Sequence, residues 1–516
     1  MLLAVIAGAA IGLKIGLPGS GGTVSAAPLS AEEEAASGLA FAPATGRRPV
    51  KAVGLYTGRE APAVGLQPVS GVDGESVAQS TSSGSAADAP VSYDAPYGRD
   101  LTFMAFPSGA TVPSTTTTEG TSTSTTSAPA PSGPPPTISG VRTLALGPFS
   151  ATLSWNTSEQ ATSRIAYGLD TPVIWTAPTA AGTTHQVTVT GLTFSSTYHL
   201  DVVATTPDGR SSVSQFLLTT PAMTGPVRVT TGNAAVLLNG QSWFPKIVWN
   251  QCPDAVARFG SIGTYLPDEW DTHLPNDYSL SDALKAFPLS TGSGPRFLTL
   301  TNHFYSRAAP LPQGRGMYPA LVASADVLGF DLYPLQNWCR FDSFHDVFDS
   351  QLDLVAIARG KPTFQWIEAR RMDCTGDQLD PTPETVRAEA WLSIAGGAHG
   401  IGYFPNNWTA AVGAEIAQTN HEISSLTPAL VEGPIAASAS LGSTVKVGAR
   451  DHNGAVYVIA VNASRAPATA TITVPALVDR TLVTLDGMHK VSAKDGAFTA
   501  DFAPLEARIY IAAPSS

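Results

Sequence analysis

The sequence is poor in cysteine, in charged residues and in metal-binding patterns, and each shortage excludes a class of protein. Three cysteines are too few for a disulfide scaffold, and no CxxC pair or HExxH motif indicates a zinc site. Charged residues make up 14% of the chain and the net charge is −12, so it lacks the basic surface that binds nucleic acid. No GxSxG, Walker loop or GxGxxG motif follows a strand-like run. We therefore expect no metal, no cofactor and no nucleic-acid partner.

The first 136 residues contain two segments that we do not expect to fold. Residues 2–17 are apolar except for Lys14, and Val24-Ser25-Ala26 supplies the small residues of a signal-peptidase site. Because a basic n-region is missing, residues 1–26 fit a signal peptide or an uncleaved anchor, and a misplaced start codon explains the pattern equally well. Residues 27–136 end in a Ser/Thr/Pro tract, which predicts a disordered linker. We expect a secreted or cell-surface protein with no membrane contact beyond this possible anchor.

The first ordered region is predicted at 137–221, where short alternating runs separated by turn residues indicate an antiparallel β-sandwich. Trp155 lies on an early strand, and Leu192 precedes Tyr198 by six residues. With these residues the segment resembles a fibronectin type III domain, in which the leucine and tyrosine form a corner that joins two strands. The resemblance implies that Trp155 and Tyr198 are core residues and that the domain is a spacer or an adhesive module.

The segment 236–425 alternates strand-like and helical stretches. Its later strand-like runs begin at 264, 296, 325, 361 and 399, so that about 30 to 40 residues separate successive starts. This spacing fits one strand plus one helix of a parallel (β/α) barrel. The clearest helix is predicted at 383–397. From 426 to 516 the alternation returns and predicts a C-terminal β-sandwich. The predicted fold class is therefore multidomain, with a barrel between two sandwiches.

Acidic and aromatic residues stand at the ends of the predicted barrel strands, where the catalytic mouth of such a barrel lies. Breaking a glycosidic bond needs two carboxyl groups, one to give a proton and one to attack or activate water. Glu269 and Glu368 are our candidate pair, although Glu269 also fits a helix N-terminal acid and Glu368 also fits an ion pair with Arg370 or Arg371. The other candidate substrate-binding residues are Trp249, Asp268, Asn302, His303, Asp331, Tyr333, Trp338, Trp366 and Tyr403.

The distribution of tryptophan favours a carbohydrate as the partner. Seven of the nine tryptophans fall between 243 and 408. Sugars expose flat C–H faces that stack on aromatic rings, so a cluster of tryptophans suits a sugar-binding cleft. Core packing is the alternative for each of them, because barrels also bury aromatic residues.

With these residues the middle segment resembles the glycoside hydrolase barrels that carry an acid/base glutamate after strand four and a nucleophile glutamate after strand seven. The resemblance implies that Glu269, in YLPDEWD, is the acid/base and that Glu368, in FQWIEAR, is the nucleophile of a retaining enzyme. It also implies that Tyr333 hydrogen-bonds the nucleophile. The family usually has Asn before the acid/base, and this chain has Asp268.

The predicted barrel is too short at its beginning. If 245–250 is strand one and 264–269 is strand four, only about 15 residues separate them, whereas three strand–helix connections need roughly 80 to 90. Strands two and three are therefore expected to be missing, either because the barrel has about six strands or because the chain carries a deletion relative to active relatives.

Two cysteines follow adjacent predicted strands. Cys339 and Cys374 are placed on loops at the same mouth, where an exported protein could join them as a disulfide, leaving Cys252 over. Three separate buried thiols are the alternative.

Two functions are indicated by these patterns. The first is an exported modular glycoside hydrolase that acts on an oligo- or polysaccharide with two glutamates. The second is a non-catalytic cell-surface protein that binds carbohydrate or adheres through a degenerate barrel. The sugar, its anomer and exo or endo action stay open.

Overall fold

The structure is a computed structural model, and it describes residues 3–5, 40–43, 133–224, 228–232, 234–249, 261–266, 269, 271, 294–301, 318–336, 342–372, 379–405 and 408–515. The described chain is multidomain and mostly β-sheet, with four α-helices among these residues. The predicted leader and linker lie outside them, apart from the short strands β1 (Leu3–Val5) and β2 (Ala40–Pro43). No helix in these described ranges is long and apolar enough to cross a membrane.

The region 137–221 forms an antiparallel β-domain around the long strand β4. Through its first half β4 pairs with β3 and β6, and through its second half with β5 and β7, so that it joins two groups of strands. The remaining strand, β8, pairs with β7. The strands are β3 (Ile138–Leu146), β4 (Ser150–Gly168), β5 (Ile174–Trp175), β6 (Gly182–Thr190), β7 (Thr197–Thr205) and β8 (Ser211–Thr219).

Trp155 and Tyr198 are both buried in this domain, as expected from the sequence. The indole Nε1 of Trp155 donates to Ser163 Oγ at 3.0 Å. The amide of Thr193 donates to the Tyr198 hydroxyl at 2.8 Å, which fixes the turn that leads into β7. A buried hydroxyl and a buried indole N–H both need such partners, because an unpaired polar group is costly in a core.

The middle region begins with a small antiparallel sheet and continues as parallel strands connected by helices. The small sheet comprises β9 (Val229–Gly232), β10 (Ala235–Leu238) and β11 (Gln241–Trp243). The parallel strands are β12 (Lys246–Trp249), β13 (Ser261–Tyr265), β14 (Arg296–Leu300), β15 (Val327–Phe330), β16 (Thr363–Glu368) and β17 (Ile401–Phe404). The helices are α1 (Tyr318–Ser324), α2 (Phe344–Ala358), α3 (Pro383–Ala395) and α4 (Ala410–Leu430), each placed after a strand from β14 onwards.

The parallel strands form one curled sheet in the order β13, β14, β15, β16, β17 and β12. The two N-terminal strands complete a ring of pairings, because β1 pairs antiparallel with β12 and β2 pairs parallel with β13. They lie between β12 and β13, so chain from far upstream covers edges of these two strands that would otherwise lack a partner strand.

The inner face of the curled sheet is filled by aromatic rings that lie over glycines. A Cβ on Gly402 would be 2.4 Å from the ring of Trp366, and a Cβ on Gly329 would be 2.2 Å from the ring of Phe364. Only glycine leaves room for these rings on the neighbouring strands. The inner face is therefore a packed core below the carboxyl ends of the strands.

Helix α3 has clear signals at both ends. Thr382 and Thr385 form a reciprocal capping box, and Pro383 occupies the first turn, where its missing N–H is not needed. The helix ends at Ala395, followed by Gly396, which agrees closely with the helix expected at 383–397.

The C-terminal region is a pair of antiparallel sheets. One has the order β18-β20-β21-β26-β23-β24 and the other β19-β22-β25. The strands are β18 (Pro434–Ile435), β19 (Ser438–Ala439), β20 (Val445–His452), β21 (Ala455–Asn462), β22 (Ala468–Thr473), β23 (Thr481–Thr484), β24 (Lys490–Ser492), β25 (Ala497–Phe502) and β26 (Ala507–Ala512). Since α4 continues to Leu430, the first of these strands starts beyond the predicted boundary at 426.

The three regions contact one another directly. The hydroxyl of Tyr457 on β21 donates to the carbonyl of Val173 in the first β-domain at 2.7 Å. Arg450 on β20 donates to the carbonyl of Ile394 at the end of α3 at 3.2 Å. The first β-domain is therefore packed against the rest of the molecule.

Candidate functional site

The candidate site is the edge of the curled sheet where the parallel strands end. Side chains alternate between the two faces of a strand, so Glu368 shares the inner face of β16 with Phe364 and Trp366. By the same alternation Asp331 continues the inner face of β15 beyond Gly329. In register, Glu368 lies beside Phe404 of β17. Polar residues thus follow the packed aromatic layer at the carboxyl edge, which is the position where parallel βα sheets collect functional side chains.

Glu368 is fully buried and its carboxylate is held by the turn that follows β15. The amide of Leu335 donates to Oε1 at 2.8 Å, and the amide of Gln336 donates to Oε2 at 3.0 Å. Hydrogen bonds from N–H groups to a carboxylate are charge-assisted and strong. The turn therefore stabilises a negative charge at this strand end.

A second carboxyl group, which the sequence analysis did not single out, lies beside Glu368. Glu389 on α3 is fully buried, and its Oε2 accepts the backbone N–H of Glu368 at 3.2 Å. Burial raises the pKa of Glu389 well above its ordinary value, and the charge of Glu368 raises it further. The signal in the sequence is an acid inside the otherwise apolar helix run AEAWLSIAGG.

The other candidate catalytic acid, Glu269, follows β13 at the same edge. It is buried and has a backbone φ of 49°, a left-handed conformation that is uncommon for a residue with a side chain. Two residues on, Asp271 accepts the amide of Thr301 at 3.2 Å and the hydroxyl of Tyr318 at 2.9 Å. Asp271 therefore ties the chain after β13 to the end of β14 and to α1.

Asp331 and Tyr333 lie between β15 and the turn that holds Glu368, and both are buried. The ring of Tyr333 is 6.1 Å from the ring of Phe404, centroid to centroid. The backbone donors to Glu368 come from Leu335 and Gln336, just beyond Tyr333, and the hydrogen bond expected from Tyr333 itself stays a prediction.

Trp366 and Tyr403 lie in packed surroundings. The Nε1 of Trp366 donates to Thr299 Oγ1 at 2.8 Å, and this hydroxyl also bonds to the Tyr265 hydroxyl. Tyr403 points to the opposite face of the sheet, where its hydroxyl donates to Asn420 Oδ1 on α4 at 3.0 Å. Trp366 therefore forms part of the floor below the edge, and the orientation of Tyr403 argues against direct contact with a sugar.

Several candidate residues lie outside the described structure. They are Asp268, Asn302, His303, Trp338, the side chain of Trp249, and the proposed disulfide partners Cys339 and Cys374. Their roles stay predictions.

One group of potential metal ligands occurs in the described part of the chain, at the start of α2. It consists of His345, Asp346 and Asp349. The ammonium group of Lys446 already pairs with Asp349 Oδ1 at 2.7 Å, so a cation of the protein itself occupies part of this cluster.

No protein-family model matches the chain, and no curated protein matches it. Solved structures that match include a GH30 endoxylanase from Clostridium papyrosolvens, with 13% identity over 53% of this chain and 74% of that chain at a TM-score of 0.31. An alpha-amylase from Geobacillus thermoleovorans, complexed with acarbose, has 12% identity over 51% of this chain and 63% of that chain at a TM-score of 0.35, so less than two thirds of its length is spanned. The fourth FNIII domain of a human protein has 22% identity over 21% of this chain and 98% of that chain, at a TM-score of 0.16.

Proposed function

We propose that this chain is an exported glycoside hydrolase whose active site lies at the carboxyl edge of the curled sheet. The observation that carries the proposal is the setting of Glu368. It stands at the end of a parallel strand, and two backbone N–H groups hold its carboxylate. These donors stabilise a negative charge at the position where βα barrels place catalytic groups.

The proposed reaction is retaining hydrolysis by double displacement. Glu368 attacks the anomeric carbon and forms a glycosyl ester, while Glu269 gives its proton to the leaving oxygen. Glu269 then takes a proton from water, which attacks the anomeric carbon and releases Glu368. The left-handed backbone at Glu269 supports its role, because such conformations persist where the surrounding structure requires them and they cluster at functional sites. Retention predicts that the two carboxyl groups lie about 5–5.5 Å apart.

The proposed architecture is an incomplete (β/α) barrel in which β1 and β2 take the places of two missing strands. Trp366 and Phe364 form the floor of the site. Asp331 and Tyr333, on the inner side of the same edge, are the proposed contacts to the sugar.

The test is hydrolysis of a panel of aryl glycosides that differ in sugar and anomer, using the full chain. We expect Glu368→Gln to lower kcat/KM by about 10³-fold or more on every substrate that the wild type cleaves. Added azide should restore turnover to Glu368→Ala and give a glycosyl azide of inverted configuration, because azide replaces the nucleophile. The matched control is Glu432→Gln, an exposed glutamate that pairs with His452 and should behave as the wild type. Wild-type rates in Glu368→Gln would exclude Glu368 as the nucleophile.

A non-catalytic carbohydrate-binding protein is the second candidate, and one observation favours it. Both carboxylate oxygens of Glu368 already accept hydrogen bonds, and the side chain is fully buried. For Glu368 to attack a sugar, the turn at 334–336 must move away from its carboxylate. A wild-type chain that cleaves none of the glycosides, but is retarded in gels that contain polysaccharide, would support this candidate.

A further inference from the structure

Glu389 is a buried acid that the proposed double displacement does not use. It lies on α3, behind the strand that ends in Glu368, and its Oε2 accepts the Glu368 backbone N–H at 3.2 Å. Both side chains are fully buried. A glutamate in this position needs an explanation, because burying an acid is costly unless it is paired or stays neutral.

The ends of α3 fix the position of Glu389. The capping box of Thr382 and Thr385 holds the first turn. At the other end, a Cβ on Gly396 would lie 2.9 Å from Gln351 of α2, so this end is tightly packed. One turn beyond Glu389, the hydroxyl of Ser393 donates to the Glu389 carbonyl at 2.7 Å. The helix therefore has little freedom to move Glu389 away from the strand.

The hydrogen bonds decide which of the two acids carries the negative charge. Two adjacent buried carboxyl groups cannot both ionise without strong repulsion. Glu368 accepts two backbone N–H groups with its two oxygens, which stabilises its ionised form. Burial raises the pKa of Glu389 most, and the charge of Glu368 and a hydrogen bond with its side chain raise it further. The single backbone N–H that Glu389 accepts from Glu368 lowers this pKa, but it is the smallest of the four effects, so the net shift is upward. Glu389 is therefore the group that keeps a proton.

The elements packed against α3 carry titratable groups of their own. These include Asp346 on α2, Glu415 and Glu422 on α4, Arg450 on β20, Tyr457 on β21, and Arg508 and Tyr510 on β26. The helix's own Arg387 pairs with Glu415 and Glu422, and Arg450 donates to the carbonyls of Ala449 and Ile394. The charge that raises the pKa of Glu389 is that of Glu368.

We propose that Glu389 is a positioning residue for Glu368: as a neutral carboxyl group it holds the Glu368 amide and adds no second negative charge beside the Glu368 carboxylate. This inference rests on the proposed function for its kinetic consequence. Its chemical content, a neutral acid beside an ionised one, is independent of whether the chain cleaves a sugar.

The first test is thermal unfolding of the wild type and Glu389→Gln as a function of pH. Because the pKa of Glu389 is raised in the folded state, the folded protein holds a proton that the unfolded chain releases as the pH rises above about 4.5, so the wild type loses stability over that range. Gln is neutral at every pH. We expect the two proteins to have equal Tm values at about pH 4. At about pH 8 the Tm of Glu389→Gln should exceed that of the wild type by at least about 2 °C.

Glu384, on the same helix, provides a control in which the expected change of stability with pH has the opposite sign. Hydrogen bonding to Thr382 lowers the pKa of Glu384 in the first turn, so its stabilising effect appears as the pH rises. The Tm of Glu384→Gln should therefore be lower than that of the wild type at high pH. If the Tm difference between the wild type and Glu389→Gln does not change with pH, the proposal is wrong.

The second test separates positioning from mere stability. Glu389→Leu removes the acceptor of the Glu368 amide, and we expect kcat to fall about 10-fold or more with little change in KM, because sugar contacts stay intact. Glu389→Gln keeps an acceptor and should restore kcat to within about 3-fold, with the alkaline limb of kcat/KM moved to higher pH. If Glu389→Leu stays folded and turns over as the wild type does, the positioning role is wrong. If the chain hydrolyses none of the glycosides but the Tm difference between Glu389→Gln and the wild type still grows with pH, the proposed function is wrong. The neutral Glu389 beside Glu368 is then still supported.

Discussion

The first β-domain and the curled sheet each contain a buried tryptophan, and the surroundings of the two residues can be compared directly. In the first β-domain Trp155 donates to Ser163 Oγ at 3.0 Å, and in the curled sheet Trp366 donates to Thr299 Oγ1 at 2.8 Å. Both indoles are enclosed and both N–H groups are paired with a hydroxyl on a strand. Their chemistry as core residues is the same.

The two tryptophans differ in the residues that lie beyond them. Beyond Trp366 the same face of the strand reaches Glu368 at the carboxyl edge, whereas the hydroxyl that serves Trp155 donates onward to the carbonyl of Val203 at 2.6 Å and remains within the core. In a parallel sheet all carboxyl ends meet at one edge, so acids from several strands gather there. In an antiparallel domain neighbouring strands end at opposite edges, and the same residues would be dispersed.

The largest effect on stability is expected from Gly402→Ala. The added Cβ would lie 2.4 Å from the Trp366 ring and 2.9 Å from Ile247, which forces the aromatic floor to shift. We expect a loss of about 3 kcal/mol in the free energy of unfolding, at the upper end of overpacking effects. Denaturant unfolding measures it.

Gly433→Ala is the matched control for that substitution. A Cβ at Gly433 meets no atom within 4 Å, so its effect should stay within about 0.5 kcal/mol. Equal stability of the two variants would show that the inner face of the sheet is not packed as described.

The tryptophan comparison itself is tested by the pair Trp155→Phe and Trp366→Phe. Each change removes the indole hydrogen bond and leaves a small void, and each should cost about 2 kcal/mol of unfolding free energy. Under the proposed function, only Trp366→Phe should also lower kcat/KM, because Trp366 lies two residues before Glu368 on the same face of β16. If Trp155→Phe lowers kcat/KM as much at a temperature where both variants are folded, the division between the two regions is wrong.

The smallest effect is expected from Tyr198→Phe. The amide of Thr193 loses its acceptor, and the free energy of unfolding should fall by about 1 kcal/mol. The proposed hydrolysis should not change, because this turn lies in the first β-domain. An unfolding curve that superimposes on that of the wild type would mean that water replaces the hydroxyl at no cost.

Periodicity was sufficient to predict several elements because their signals are local. The alternation around Trp155 predicts a buried strand residue, and Pro383 with Gly396-Gly397 predicts the helix that runs from Pro383 to Ala395. Local patterns could not predict that β1 and β2 lie between β12 and β13. That pairing joins segments more than 200 residues apart, and no short-range periodicity reports it.

The position of Glu368 was predicted from the sequence, whereas its role stays a prediction. An acid that ends an apolar strand pointed to the carboxyl edge, and the structure places Glu368 there. Glu389 was missed because a glutamate in a helix is usually a solvated residue, and only the packing of α3 on β16 shows that it is buried. Tyr403 was grouped with the sugar contacts because it ends a strand, but the alternation of faces turns it towards α4.

By itself the sequence determined the order of strands and helices, the position of the helix caps and the acidic ends of the parallel strands, because each depends on residues close together in the chain. Only the tertiary structure decided which N-terminal segments fill the sheet, which side chain faces the edge, and that Glu389 is buried beside Glu368. Those outcomes depend on burial and on hydrogen-bond donors brought from distant segments, such as the amides of Leu335 and Gln336 that hold Glu368.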